Sequence, residues 1–509
     1  MSEMELQSAA ILSGNPLFLS LILLSTLVIW LKLAKRSNLK LPPSPPKLPI
    51  IGNIHQLGKL PHRSLRDFST KYGPILLLHM GYNPTLVVSS ADVVREIVKN
   101  HDIVFSNRPI TTAVDILFYG CRDMVFAPNG EYWRQVRKMS AVELFSHRRE
   151  PTYQSVRDKE VELLIDRIRG AGLKQEPVNL TAMLMFVMSN IVSRCVLSHK
   201  SEEEEDGVSK FGQMARKLVM IFGSFCFGDL FPYLRWLDFL TGYIRSLKGL
   251  SSEYDAFFDE VIQEHKALEN GEEVSCKKDF VSIIMQLQKD GMFEDLTQDN
   301  IKAILLDMFS GGTDTTTTTS EWMMAELLKH PNAMKKVQQE VRNVVGNKSK
   351  VEPEDVLKME YLRCVVKETL RLHPPVVLLP RKTSATVKLG GYDIPSDTAI
   401  LINTWAIQRD PEWWEEPDEF IPERFEKSSI DLQGQDFHYI PFGFGRRGCP
   451  GMSFGVSSVE YVTANLLYWF DWELPAGETA ENLDMDEHNG LAVTKKNPLH
   501  VIPISHLSS

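Results

Sequence analysis

The sequence predicts a mainly α-helical fold with small β-sheets (α+β), built as one large domain behind an N-terminal transmembrane anchor. Three observations carry this. Residues 11–31 hold no charge and are dominated by Leu and Ile, long enough to span a bilayer. Helical stretches follow one another from Glu131 to Leu372, whereas short β-type runs flank turns near residues 81–84 and 390–391. No internal linker divides the 509 residues, although length alone suggests about three domains.

Composition narrows the function. The net charge of -10 argues against nucleic acid as a partner. Six cysteines are scattered without any C-x-x-C, which is neither a zinc pattern nor a disulfide framework and suits a reducing compartment.

The elements follow in order. Glu3 and Glu5 precede the apolar run, and Lys32, Lys35, Arg36 and Lys40 follow it. The positive-inside rule then places everything after residue 40 in the cytosol, and the length of the run favours a retained anchor over a cleaved signal peptide. Residues 1–40 are read as the anchor and 41–53, dense in proline, as a stiff extended hinge. A short helix begins near Ser64. Leu76–Met80 and Thr85–Ser89 read as strands around Gly81–Pro84. Thr111 to Phe126 reads as a loop with a short helix. In the helix Glu131–Lys138, Trp133 and Arg137 share a face and could bind a carboxylate or form a plain surface pair.

From about Val156 to Lys289 the chain is helical. Glu202–Asp206 reads as a solvated loop, and the aromatic stretch Phe222–Phe239 as core packing or a cavity roof near a membrane. Thr297 caps one long helix ending at Lys329. Its centre, Ser310–Thr316, has two glycines and a threonine run, poor helix formers that suggest a backbone opened for a ligand or water. Asp314 and Thr315 would set a carboxylate and a hydroxyl there, either as a proton relay or as part of a packing face. The helix Tyr361–Leu372 is stopped by Pro374-Pro375 and puts Glu368 and Arg371 on one face. Short strands surround Gly390-Gly391, residues 405–425 are irregular, and Ser453–Tyr468 reads as a buried helix.

Between these last elements lies Phe442-Gly-Phe-Gly-Arg-Arg-Gly-Cys-Pro-Gly451. A thiolate is a strong, soft metal ligand, and here glycines let amides approach the sulfur, arginines add positive charge and Pro450 could open a helix beside it. A buried structural cysteine is the plain alternative. The literal G-x-G-x-x-G would also suit a dinucleotide, but Pro441 and the missing βαβ unit oppose that.

The decapeptide resembles the haem-binding signature of the cytochrome P450 superfamily. The resemblance extends in order through the anchor, the proline stretch, W-x-x-x-R, the G-x-D-T helix, E-x-x-R, P-E-R-F and the cysteine loop, and is nearest the plant microsomal type, the family 71 group. It implies the cytochrome P450 fold, with residues 54–509 as the catalytic domain. Cys449 would be the axial ligand of haem b, with Trp133, Arg137, Arg381, Phe442, Arg446 and Gly451 also holding the cofactor. Asp314 and Thr315 would relay protons. Glu368, Arg371 and Arg424 would form a structural network, and Leu117, Phe118, Phe309, Val376, Val377, Leu379 and Ala492 would face the substrate. The implied reaction is oxidation of a small hydrophobic plant metabolite (terpenoid, phenylpropanoid or coumarin, aldoxime or indole type). It would use dioxygen and electrons from NADPH through a membrane-bound reductase docking where Lys138 and Arg447 lie. The implied location is the endoplasmic reticulum membrane, facing the cytosol. A haem-thiolate isomerase or dehydratase working without dioxygen is the alternative, opposed by the intact Asp314-Thr315.

Overall fold

The computed structural model describes residues 19–27, 39–198, 210–222, 224–269, 279–291 and 296–506. Most of the anchor and the charge run Glu202–Asp206 lie outside these residues. Residues 19–27 are helical and display Leu19, Leu21, Ile22, Leu23, Leu24 and Leu27 on the outside.

The proline stretch is extended, yet it does not stand free as a spacer. It is sewn to the body: the Leu77 amide donates to Pro43 O (2.9 Å), and Asn53 Oδ1 accepts from the His79 amide (2.9 Å). Its partner is a four-stranded sheet ordered Ile75–Met80, Asn83–Val88, Ala399–Asn403 and Leu378–Lys382. The second and third strands are parallel, with Thr85 opposite Ala399, and the other pairs are antiparallel. The turn between the first two strands is only Gly81-Tyr82, so Asn83 and Pro84 belong to the strand rather than to the turn. At the hairpin Val387–Leu389/Tyr392–Ile394 the two linking glycines have φ of +56° and +77°, the left-handed pair that a two-residue turn demands. A three-stranded sheet joins Val178–Asn179, His500–Ser505 and Phe470–Glu473, and a final hairpin pairs Glu487–His488 with Thr494–Lys495.

Helices form the rest. Gln298–Lys329 runs through the middle, started by Thr297 in a reciprocal capping box with Asn300. Nearly all of it is buried, which explains why apolar residues occur on every side of it, with a few buried polar groups among them. Against it lie Leu180–Leu197, Glu360–Leu372 and Met452–Trp469. Among the described residues, Leu180–Leu197 is the one helix long and apolar enough to cross a membrane, and it is a mostly buried core helix.

The central helix runs unbroken through Ser310–Thr316, so the opening expected there is absent. Hydroxyls compensate for the weak helix formers: Thr315, Thr316 and Thr317 each donate to the carbonyl four residues back, at 2.6–2.8 Å. Tertiary packing on both flanks outweighs the local propensity. What the glycines provide is access, because Gly311 is exposed to an internal cavity.

Candidate active site

That cavity, of about 340 Å³, lies between the central helix and the cysteine loop. The loop is shaped by its own backbone. The Gly443 amide donates to Ile440 O, the Gly448 amide to Gly445 O, and the Cys449 amide to Phe442 O, at 2.8–3.0 Å. Gly445 has φ +59°, a left-handed conformation that favours glycine, and a Cβ there would press on Asp102 Oδ1 at 2.6 Å. The helix Met452–Trp469 starts directly after Gly451, placing its N-terminus beside Cys449. The thiol opens onto the cavity while protein encloses it on every other side. Burial pushes its pKa up, and the Gly451 amide and the Arg137 guanidinium act against that rise.

Across the cavity stand Asp314 and Thr315. Asp314 Oδ2 is buried and finds no partner among the described residues, and burial raises its carboxyl to about 6. The Thr315 hydroxyl spends its proton on Gly311 O (2.6 Å), leaving its lone pairs to accept. A carboxyl able to carry a proton near neutrality beside an accepting hydroxyl can pass protons into the cavity.

One side of the cavity is unusually cationic. Arg108, Arg137 and Arg447 line it, and Arg381 lies directly behind. All four are depressed by burial; Arg108 falls to about 10 and Arg447 to about 9, and their mutual repulsion adds to the effect. Arg108 Nε finds no partner among the described residues. Asp123 and Asp307 lie close by and act against the depression of Arg108 and Arg447, although burial raises both carboxyls and they share a site. Clustered buried guanidinia call for an anion with more than one negative group.

Two adjacent arginines lie the other way round from the sequence expectation, one exposed and one buried. Arg446, expected to hold the cofactor, is half exposed and pairs with Asp102 Oδ2 at 3.0 Å. Arg447, expected on a docking surface, is buried and fully committed. It donates to Ser106 O (2.6 Å), Met124 O and Val125 O (3.2 Å each) and Ala127 O, and lies 4.1 Å from the Trp133 ring centroid. We predict that Arg447→Ala, which leaves Ser106 O, Val125 O and Ala127 O without this donor at about 1–3 kcal/mol or more, lowers the haem-to-protein ratio severalfold on purification. Arg446→Ala should keep that ratio, and equal loss in both variants would refute the assignment.

Other expected residues divide in the same way. Trp133 lines the cavity, but its indole N–H donates to Met124 O (3.0 Å) and so is not aimed at a carboxylate. Arg137 donates to Gly448 O, bracing the cysteine loop. Arg381 stacks on Phe444 at 5.3 Å. Phe442, Gly451, Phe118, Val376, Leu379 and Ala492 line the cavity. Leu117, Val377 and Phe309 do not: Val377 packs with Trp405 and Val493, and Phe309 packs toward Tyr254 on the far side of its helix. Met308 takes the position expected of Phe309. The aromatic stretch divides too, with Phe222 on the cavity wall and Phe225, Tyr233, Trp236 and Phe239 exposed. Arg108 was missed, since nothing local distinguishes it from a surface arginine.

The cytochrome P450 family model matches residues 42–502. The chain belongs to the cytochrome P450 family. It is 50% identical to the phenylacetaldehyde oxime monooxygenase CYP71AN24 of Prunus mume, covering 98% of this chain and 97% of that one. It is 51% identical to cytochrome P450 71A1 of Persea americana (90% and 92% covered) and 47% identical to desmethylyatein synthase of Sinopodophyllum hexandrum (97% and 99%). A zebra fish cytochrome P450 structure with abiraterone superimposes at TM-score 0.74 and 25% identity, covering 88% of this chain and all of that one. This P450 is therefore a monooxygenase of plant specialised metabolism, using haem b and dioxygen with electrons from NADPH through a reductase.

The residues present fit haem b. Cys449 is a soft donor open to the cavity, and Arg108, Arg137, Arg381 and Arg447 form the cationic side that two propionates would neutralise. When bound, the haem supplies a thiolate-ligated iron that activates dioxygen for insertion of one oxygen atom into the substrate.

Proposed function

We propose that this P450 hydroxylates or otherwise oxidises a small aromatic metabolite of the arylacetaldehyde oxime or phenylpropanoid type. The observation that carries this reading is a trio of rings on the cavity wall. Phe118 and Phe126 stand 5.2 Å apart and Phe126 and Phe222 are stacked at 6.4 Å, offering edges and faces to a planar guest. Val376, Leu379, Leu491 and Ala492 close the wall with aliphatic surface, so the guest sheds water on entry. In this reading the cationic side formed by Arg108, Arg137, Arg381 and Arg447 faces the cofactor's carboxylates, Trp133 braces that side through Met124 O, Cys449 ligates the iron, and Asp314 and Thr315 deliver protons. Co-expression with a plant NADPH–cytochrome P450 reductase, fed a panel of oximes, phenylpropanoids, coumarins, indoles and terpenoids, tests it by mass spectrometry. NADPH-dependent oxidation of an aromatic member supports the proposal. Turnover restricted to terpenoids, or of a hydroperoxide without NADPH, overturns it.

Thr315→Ala should keep the haem and the reduced, carbon-monoxide-bound spectrum, while product per NADPH falls by up to roughly 10²-fold. The missing electrons should reappear as hydrogen peroxide. Unchanged product per NADPH would remove Thr315 from the relay.

The proposal includes a single-pass anchor in the endoplasmic reticulum membrane, with the catalytic domain in the cytosol. The exposed apolar residues of 19–27 support it, as do the exposed aromatic side chains Phe225, Tyr233, Trp236 and Phe239. Asn347-Lys-Ser349 is exposed and matches the glycosylation sequon, whereas Asn179 in the other sequon caps a helix by accepting from the Ala182 amide. Endoglycosidase should leave the native membrane protein's mobility unchanged, and a shift would put the domain in the lumen.

A further inference from the structure

Asp314 is not alone on its helix face. Thr318 Oγ1, one turn on, is likewise buried and finds no partner among the described residues. Glu321, seven positions from Asp314, continues the same stripe, about 10 Å along the axis. The Asp314 end opens onto the cavity. The Glu321 end meets two other elements. Thr181, at the start of Leu180–Leu197, donates its hydroxyl to Glu321 Oε1 and accepts from the Leu499 amide at 2.8 Å. Lys495, in the final hairpin, also faces Glu321. Lys495 and Leu499 in turn line a depression with Asp484, Asn497 and His500, whose Asp484, Asn497 and His500 side are exposed or half-exposed. The stripe therefore runs from the cavity lining at Asp314 to Glu321, which faces Lys495 on the inner side of the depression. A buried hydroxyl and a buried carboxylate oxygen left unpaired one turn apart are groups of the kind that ordered water satisfies.

The charged surroundings suit proton exchange. Glu321 faces Lys495 from the hairpin, Thr181 from the neighbouring helix and Asp314 along its own. Lys495 also faces Asp484, Glu326 and Glu478, and Glu326 is itself occupied by His330 and His373. Burial raises Glu321 to about 7 and Asp314 to about 6, which leaves both able to gain and lose a proton near neutrality.

We propose that Glu321 and Thr318 form the inner segment of a proton-entry path that reloads Asp314 from the depression beside Lys495 and Asp484. Each passage moves one proton inward. Glu321 releases its proton through water and the Thr318 hydroxyl to the Asp314 carboxylate, and the Glu321 carboxylate then takes one from solvent in the depression. No bond to carbon changes and no electron moves. Glu321 is a positioning residue acting through Asp314, so the inference rests on the relay role proposed for Asp314.

The test uses the full-length, haem-loaded protein in microsomes or nanodiscs. Infrared pH titration of the carboxyl stretch, without substrate, should show that Glu321→Gln removes one group titrating near neutrality and moves the Asp314 titration to lower pH. Substrate-free NADPH oxidation with reductase should show a solvent deuterium effect raised by about two-fold in both Glu321→Gln and Thr318→Val. Glu321→Asp should restore it in part. A merely structural role would lower haem content and leave the isotope effect alone. The proposal is overturned if Glu321 stays ionised between about pH 5 and 9, or if Thr318→Val, which changes no charge, leaves the isotope effect at the parent value. Should Glu321→Gln fail to fold, Thr318→Val decides. Asp314→Asn separates the two readings: an effect there without one at Glu321 and Thr318 sinks this path alone, and no effect at Asp314 sinks the relay itself.

Discussion

Cys449→Ser should abolish the thiolate-type absorption of the reduced, carbon-monoxide-bound protein and with it all NADPH-dependent product. Serine is nearly isosteric, so the loop folds. Its hydroxyl, however, is a hard, neutral donor with a pKa far above that of a thiol. The surroundings are set for an anionic sulfur. The Gly451 amide and Arg137 favour the charged form, the helix beginning at Met452 presents its positive end, and the Cys449 amide is held by Phe442 O at 2.8 Å. None of these makes an alkoxide at neutral pH. The decisive measurement is the carbon-monoxide difference spectrum of membranes expressing each form at equal protein. A thiolate band surviving in the variant would move the ligand to another residue.

The second large effect is expected beneath the cofactor site. Arg371→Ala should destabilise the fold by about 3–5 kcal/mol and cut haem-loaded yield to a small fraction of the parent's. Arg371 is fully buried, and all five of its N–H groups are used: two on Glu368 (2.7 and 2.8 Å), and one each on Gln408 O (3.0 Å), Pro417 O (2.6 Å) and Glu419 O (2.9 Å). Glu368 also accepts from Arg424 at 3.0 Å and from the Ile421 amide at 2.8 Å. Removing Arg371 would take two of four donors from the buried Glu368 carboxylate and leave three carbonyls without theirs at once. The damage should reach the cysteine loop, because Gln408 holds the end of the same helix with its amide and the Ile440 amide with its oxygen (2.9 Å). Denaturant midpoints of the haem absorption and of tryptophan fluorescence would read both effects, with Arg424→Lys as a milder control, since Arg424 is partly exposed. A parent-like midpoint in Arg371→Ala would show the network to be dispensable.

The comparison of sequence with structure turns on particular residues. Glu368 and Arg371 could be paired from their spacing, because i,i+3 on a helix is a local rule. Thr297 could be read as a cap for the same reason, and the strands of the first hairpin could be read as two strand-type runs flanking a turn. The helix at Ser310–Thr316 could not be read correctly from propensity, because its continuity comes from neighbours on both flanks and from threonine hydroxyls turned back on the chain. Phe309 and Met308 are adjacent, and which of them faces the cavity depends on how the helix is rotated against Tyr254 and its surroundings. A sequence states the period of a helix, not its phase.

By itself, then, the sequence determined the chemistry on offer: one cysteine in a glycine loop, an acid and an alcohol in adjacent positions of a long helix, and an acid–base pair one turn apart. Each depends on residues within a few positions of one another. Only the tertiary structure decided which arginines stand at the cavity. Arg447 reaches Ser106, 341 positions away, while Arg446 turns to Asp102 and solvent. Arg108, Arg137, Arg381 and Arg447 meet from four distant stretches of chain. Their shared site is made by packing, and a charge's role is set by what surrounds it after burial rather than by its neighbours in sequence.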